Sequence, residues 1–371
     1  MKKVICALSL SGLFFIACTP DDEAENPAVY DPTPYILEFG DFPDPGIPAD
    51  NILTNEGVKL GRMLFYEKML SKDGSQSCAD CHQQKDAFSD LRQFSIGVEL
   101  LPGKRQAMGL FNLAWHKNGM FWDGRSPGAR EQALKPIQDP LEMNETLVNA
   151  IAKLKAEKRY TDQFIRAFGD DKITPERMGL AMEQFEFTMV SNNSKYDQWQ
   201  RGEAVLSDSE ERGRQLFFRE YDPFSGEKGG ECFHCHGGFN FTNNEYMNNG
   251  LDAEPGFSDL GRFMVTNDPA DRARFKVPSL RNIEFTPPYM HDGRFETLEE
   301  VIEHYDSGVK NSSTVDPLLQ YNLNPGLQLS SQDKADLVAF LRTLSPFLTD
   351  EMFWQMTGML TINLSSSCSP L

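Results

Sequence analysis

Cys78-Ala79-Asp80-Cys81-His82 and Cys232-Phe233-His234-Cys235-His236 repeat one pattern, C-x-x-C-H, 154 residues apart. Two thiols separated by two residues can each add to a haem vinyl group. The adjacent histidine is then forced under the ring, where its imidazole binds iron. Zinc pairs usually lie within tens of residues of each other, and a redox dithiol needs no following histidine. The pattern therefore reads as two covalently bound c-type haems. Cys78, Cys81, Cys232 and Cys235 would form the thioethers, with His82 and His236 on the irons.

The duplication runs beyond the cysteines. Gly61-Arg62-Met63-Leu64-Phe65 precedes the first motif, and Gly213-Arg214-Gln215-Leu216-Phe217 precedes the second at nearly the same distance. Both lie on expected helices, N-capped by Thr54 in one case and by a Ser207–Glu210 capping box in the other. In each copy the Leu-Phe pair is expected to cover a haem face or edge. Further helical stripes run through Leu147, Ile151 and Leu154, through Met178, Met182 and Phe185 after Thr174-Pro175, and through Leu337, Phe340, Leu341 and Leu344 after Ser330. Alternating strand patterns are scarce. The expected fold class is mainly α, with two cytochrome-c-like haem domains at 51–198 and 199–346, joined near Ser191 to Arg201. A tail at 347–371 follows, and its Cys368 is unassigned.

The N-terminus reads as a targeting segment. Lys2 and Lys3 precede an apolar stretch from Val4 to Ala17 that is too short to span a bilayer. Cys18 follows a small residue, as in a bacterial lipobox, although Phe15 stands where leucine is usual. The expectation is a lipoprotein signal peptide at 1–18 with a lipid anchor on Cys18; ordinary secretory cleavage near Ala17 is the alternative. Cys6 would be discarded with the signal. Residues 19–50 carry seven prolines and the acidic run Asp21-Asp22-Glu23, which suits an extended tether. The chain is then expected on the periplasmic side or at the cell surface. A net charge of −19 argues against nucleic acid as a partner.

Several motifs outside the haem sites occur in a known order: Phe121-Trp122-Asp123-Gly124-Arg125, Glu131-Gln132-Ala133, Pro140-Leu141-Glu142-Met143 and Pro288-Tyr289-Met290-His291-Asp292-Gly293-Arg294-Phe295. With the two haem motifs, they make the stretch from Asn51 to Ser345 resemble the bacterial dihaem cytochrome c peroxidases. The likeness is to the branch containing the dihaem enzyme that matures methylamine dehydrogenase. It implies a peroxide-reducing N-terminal haem and an electron-transferring C-terminal haem. His82 would be the proximal ligand of haem 1, Glu142 the distal acid/base, and Gln132 and Pro136 part of the same pocket. Trp122 would relay electrons between the haems, and His236 with Tyr305 would hold haem 2. The resemblance also implies an interdomain calcium on backbone carbonyls of Gln106, Thr286 and Pro288, completed by waters.

Two departures stand out. Many peroxidases carry a histidine in the loop after haem 1 that blocks the iron until haem 2 is reduced. The loop Ser95 to Gln106 has none, so haem 1 is expected to rest high-spin and to need no reductive activation. Tyr305 stands where typical peroxidases have Met; a phenolate stabilises ferric and ferryl iron and lowers the potential, whereas Met raises it.

Read without the family, a peroxidatic haem needs an open axial position and a group that moves a proton between the peroxide oxygens. Glu142 lies in a rigid turn after Pro136 and Pro140, but it is one of 55 acids. Trp122 could equally be a core aromatic. His116 and His234 are expected to be surface or structural, and His291 to bond near haem 2. His304 adjoins Tyr305, and neighbouring helical residues face about 100° apart, so only one can reach iron. The expected activity is that of a cytochrome-c peroxidase-type oxidoreductase, reducing hydrogen peroxide with electrons from a cytochrome c or cupredoxin. The alternatives are the same chemistry turned on a side chain of a partner protein, and a plain dihaem electron carrier. A carrier would need no Glu142.

Overall fold

The computed structural model describes residues 27–222 and 224–346. The signal peptide with Cys6 and Cys18, the start of the tether, and the tail with Cys368 lie outside the described residues.

The described residues are mostly helical, with one two-stranded antiparallel sheet among them, in which Tyr246–Met247 (β1) pairs with Phe275–Lys276 (β2). The helix Asn55–Phe65 begins where Thr54 accepts a hydrogen bond from the Gly57 N–H. Asp208–Phe217 and Ser331–Arg342 begin on capping boxes, Ser207 with Glu210 and Ser330 with Asp333. Each cap satisfies backbone donors that a helix start leaves open.

The apolar interior forms two main clusters. One gathers Leu60, Leu64, Ile137, Leu154, Phe164, Met178 and Met182. The other gathers Leu216, Phe217, Phe241, Leu337, Phe340 and Leu344. The same device builds both. A Cβ on Gly61 would lie 1.9 Å from the Ala181 carbonyl oxygen, and one on Gly213 would lie 1.8 Å from that of Asp336. The glycines of the repeated motif thus let Asn55–Phe65 cross Pro175–Phe187, and Asp208–Phe217 cross Ser331–Arg342, backbone against backbone. The Leu-Phe pairs diverge from expectation. Phe217 borders a haem-sized cavity, whereas Leu64 and Phe65 pack into the core behind theirs.

The join at Ser191 to Arg201 is a buried polar seam. Asn112 donates to the Ser191 carbonyl and to Asn240 Oδ1, both at 3.0 Å. Arg281 makes a bidentate bridge to Asp197, with both contacts at 2.8 Å. The stretch expected as a free tether is docked over residues 27–50. Tyr35 N–H donates to the Leu53 carbonyl, the Trp115 indole donates to the Pro43 carbonyl, and Phe42 packs edge-on against Trp115. Apolar burial of Leu37, Phe39 and Phe42 outweighs the extending tendency of the prolines.

Candidate active site

Both C-x-x-C-H motifs form single helical turns, Cys78–Cys81 and Phe233–His236. His82 Nδ1 lies 2.9 Å from the Phe88 carbonyl oxygen, and His236 Nδ1 lies 3.1 Å from that of Phe241. A carbonyl can only accept, so Nδ1 carries the proton and Nε2 keeps the lone pair that an iron would take. Phe88 and Phe241 sit at φ +56° and +50°. Bulky residues rarely adopt that region, and here the turn aims a carbonyl at the histidine in both copies. Burial pushes Cys81 and Cys235 up to about 11 and Cys232 to about 12, and Cys78 also goes up. Before haem is attached, all four are therefore neutral thiols at pH 7. Among the described residues no three His, Cys, Asp or Glu side chains converge as a metal-holding group, so the zinc reading has no geometry behind it.

Two cavities open beside these turns, with about 3060 and 1690 Å³ free of atoms when the space open to solvent is counted, room for a macrocycle in each. The first is lined by Cys81, His82, Gln132, Glu142 and Arg125. The second is lined by Cys232, Cys235, His236, Tyr305 and Met290. The donor sets and the room fit one c-type haem in each.

Glu142 faces the first cavity from the turn 139–145. Its N–H donates to the Asp139 carbonyl at 3.0 Å, and its own carbonyl accepts from Val98 N–H at 2.9 Å. Burial pushes its pKa up to about 7, nearby Asp139 adds to the rise, and Arg125 opposes it. Val98 belongs to the loop that lacks a histidine, and a Cβ on Gly97 would lie 2.1 Å from the Leu141 carbonyl oxygen. That loop braces the Glu142 turn. Its Glu99 is tied at the surface by Lys72 and Asn144. Pro136 lines not the first cavity but a small vestibule beside it, which shares Phe121, Arg125, Asp139 and Glu142 with that cavity. The Arg125 guanidinium lies 3.5 Å over the Phe121 ring.

On the far side of the second cavity, Tyr305 and not His304 faces inward. His304 Nε2 is tied to the Asn249 carbonyl at 3.0 Å, while Asn249 Nδ2 donates to the Tyr305 hydroxyl at 3.4 Å. The backbone is a π-helix from His304 to Gly308, a form that often marks functional sites. Burial pushes the Tyr305 phenol up to about 12.

Trp122 borders both cavities, 8% exposed, with its indole donating to the Gln106 carbonyl at 2.9 Å. Gln106, Thr286 and Pro288 border the second cavity together. His234 pairs with Glu220 at the surface, as expected. His291 stacks on Phe275 at 3.6 Å and borders both cavities. His116, expected to be surface or structural, is not at the surface: it too borders both cavities, and its Nε2 is buried. At the C-cap of a short 3-10 segment, it gave no periodic signal that separates a wall residue from a surface one.

A model of the di-haem cytochrome c peroxidase family matches residues 55–205. The chain is 36% identical to the methylamine utilization protein MauG of Methylorubrum extorquens, over 80% of each chain. It is 35% identical to the cytochrome c551 peroxidase of Nitrosomonas europaea, over 78% of this chain and 79% of that one. This chain belongs to the di-haem cytochrome c peroxidase family. The fold agrees: a MauG-like protein associated with microbial copper homeostasis superposes with a TM-score of 0.75 at 33% identity, covering 84% of this chain and 96% of that one. As a di-haem peroxidase it is an oxidoreductase with two c-type haems. Arg125, Asn249 and Lys276 are cavity residues that sequence reasoning did not single out. Arg125 was in plain view within Phe-Trp-Asp-Gly-Arg; Asn249 and Lys276 carry no local signal.

Proposed function

We propose that this chain reduces hydrogen peroxide to two waters, taking two electrons and two protons per turnover, the electrons from a small redox protein such as a cytochrome c or a cupredoxin. The observation that carries the reading is the asymmetry between the two cavities: a carboxyl with its pKa pushed up to about 7 lines the cavity of His82, and a phenol lines that of His236. An electron carrier has no use for the first. When bound, the haem irons supply peroxide binding and electron transfer. Glu142, as carboxylate, takes the proton of the bound peroxide and returns it to the leaving oxygen, which departs as water. Gln132 borders the same space and orients that oxygen. Arg125, between cavity and vestibule, stabilises the carboxylate form. Trp122 connects the two cavities and relays electrons. The indole bond to Gln106 holds its plane.

Tyr305 supports the second reading, in which the same oxidising power is drawn off a side chain of a partner protein, because a phenolate favours oxidised iron. It also supports a resting enzyme that needs no reductive activation. Gln106, Thr286 and Pro288 would hold a calcium ion through their carbonyls, since a carbonyl that accepts the Trp122 indole keeps a second lone pair. The division into haem domains at 51–198 and 199–346 is supported by the existence of two main core clusters, although Tyr196 packs into the second. Export, with a lipid anchor at Cys18, is proposed from the N-terminal sequence alone.

Two measurements test this. Mass spectrometry of the protein exported in a host that attaches haem should show two added haems. Electron paramagnetic resonance of the oxidised protein should show one high-spin centre that reacts with peroxide at once. Two low-spin centres, with reactivity appearing only after half-reduction, would refute the absence of a blocking ligand.

A further inference from the structure

Lys276 is 2% exposed, in β2, and its backbone N–H donates to the Trp122 carbonyl at 2.7 Å. It borders both haem cavities. Its ammonium donates to the Lys117 carbonyl and lies 5.6 Å from the centre of the Tyr246 ring. Among the described residues it makes no ion pair. Glu245 acts on it only at longer range, and Arg262 opposes that effect. Burial pushes its pKa down to about 8, so at pH 7 it remains mostly charged. A buried cation without a counter-charge is strongly unfavourable, and proteins rarely keep one unless a ligand completes it.

Beside it stands His116. Its Nε2 is buried without a hydrogen-bond partner. Burial, together with the Lys276 charge, holds the ring neutral, with its pKa down near 3. A neutral imidazole has one N–H donor, and in the tautomer protonated at Nε2 the pair presents one cation and one uncharged donor to the same space. Two neighbouring donors of this wall are already bound, whereas Asp292 Oδ1, which also borders the first cavity, is an acceptor without a partner. Arg105 is bound by Asp123 at 2.6 Å and by Asp259 at 2.7 Å, and the Trp122 indole is bound by Gln106. Lys276 and His116 therefore ask for one carboxylate. Peroxide is neutral and cannot meet that demand. A haem carries two propionates on its edge.

We infer that Lys276 and His116 form an anion-binding pair that receives a haem propionate in the wall between the two cavities. The inference rests on the two-haem reading. It makes the Trp122 segment part of the cofactor's own anchorage, because the Lys276 peptide is bonded to the Trp122 peptide. A cation held against a propionate also favours the reduced haem, since it offsets negative charge near the iron.

The test uses the holoenzyme and the variants Lys276→Met, Lys276→Arg and His116→Gln. Mass spectrometry first counts haems; a wild-type protein without two would refute the dihaem reading itself. With both haems present, spectroelectrochemistry and the propionate-bending band in resonance Raman read the pair. Lys276→Met should lower one haem's reduction equilibrium about tenfold, about 59 mV for one electron, and shift the band. Lys276→Arg should restore most of both. His116→Gln should shift the band with a smaller change in potential, and it keeps the test alive if Lys276→Met misfolds. Unchanged potentials and band in every folded variant would overturn the inference, as would a shift reproduced by added chloride or phosphate, which would mean the pair holds a solvent anion.

Discussion

The two halves of the molecule share what grips a haem and differ in what faces it. Gly61 and Gly213 make the same helix crossings, and His82 and His236 give Nδ1 protons to carbonyls of Phe88 and Phe241 in the same strained turn. Across the cavities the match ends. The first presents Glu142, Gln132 and Arg125 beside a vestibule, and the second presents Tyr305 and Met290 under Asn249. The repeated parts fix a cofactor in place. In the proposed reading, the unrepeated parts decide whether it meets peroxide or passes electrons.

The largest expected effect breaks the first half's chemistry and spares the second. Glu142→Gln keeps the shape and removes the proton acceptor, so the peroxide reaction should slow about a hundredfold or more, with both haem spectra intact. Stopped-flow absorption measures it. The carboxylate is the active form, and burial puts its pKa at about 7. The wild-type rate should therefore rise with pH up to about 7 and level off above. The variant should lose that limb.

Tyr305→Met should act on the other half alone. Replacing a phenolate ligand with a thioether raises a haem potential, so redox titration should show haem 2 shifted upward with haem 1 nearly unmoved. Equal shifts in both haems would mean the cavities are not electronically separable.

Gly61→Ala and Gly213→Ala ask whether the grips are equivalent. Each new Cβ meets a backbone carbonyl that cannot swing aside, at 1.9 and 1.8 Å. Such overpacking typically costs about 1–3 kcal/mol, occasionally more. Chemical denaturation of the holo variants should show similar losses. The smallest effect belongs to Glu99→Gln in the loop after haem 1. Its ion pair with Lys72 is exposed, with side chains 38% and 56% accessible. Such pairs contribute about 0–1 kcal/mol, so stability and the resting spin state should barely change. A change of spin state would show that this loop does reach the iron.

Much of the grip was legible in the chain because it is local. C-x-x-C-H spans one helical turn, and the Thr54, Ser207 and Ser330 caps act within three residues. The resemblance pointed to Tyr305, helical geometry said only that one of His304 and Tyr305 could reach iron, and the structure turns Tyr305 inward. Glu142 stood out only through resemblance, since one acid among 55 has no local mark. The docking of residues 27–50 was hidden because prolines and acids signal extension, while the decisive contacts, Phe42 on Trp115 and Tyr35 on Leu53, reach far along the chain.

The sequence by itself determined two haem attachments, the helices around them and the duplication that relates them. Covalent spacing and helix periodicity are properties of neighbouring residues. Tertiary structure alone decided that the Phe88 and Phe241 carbonyls set the histidine tautomers, that the histidine-free loop braces Glu142, and that Lys276, without a counter-charge, and His116, without a hydrogen-bond partner at Nε2, border the same cavities. Those three depend on burial and on groups brought together from distant segments, and both the charge state and the partner of a buried group are settled by what the fold places around it.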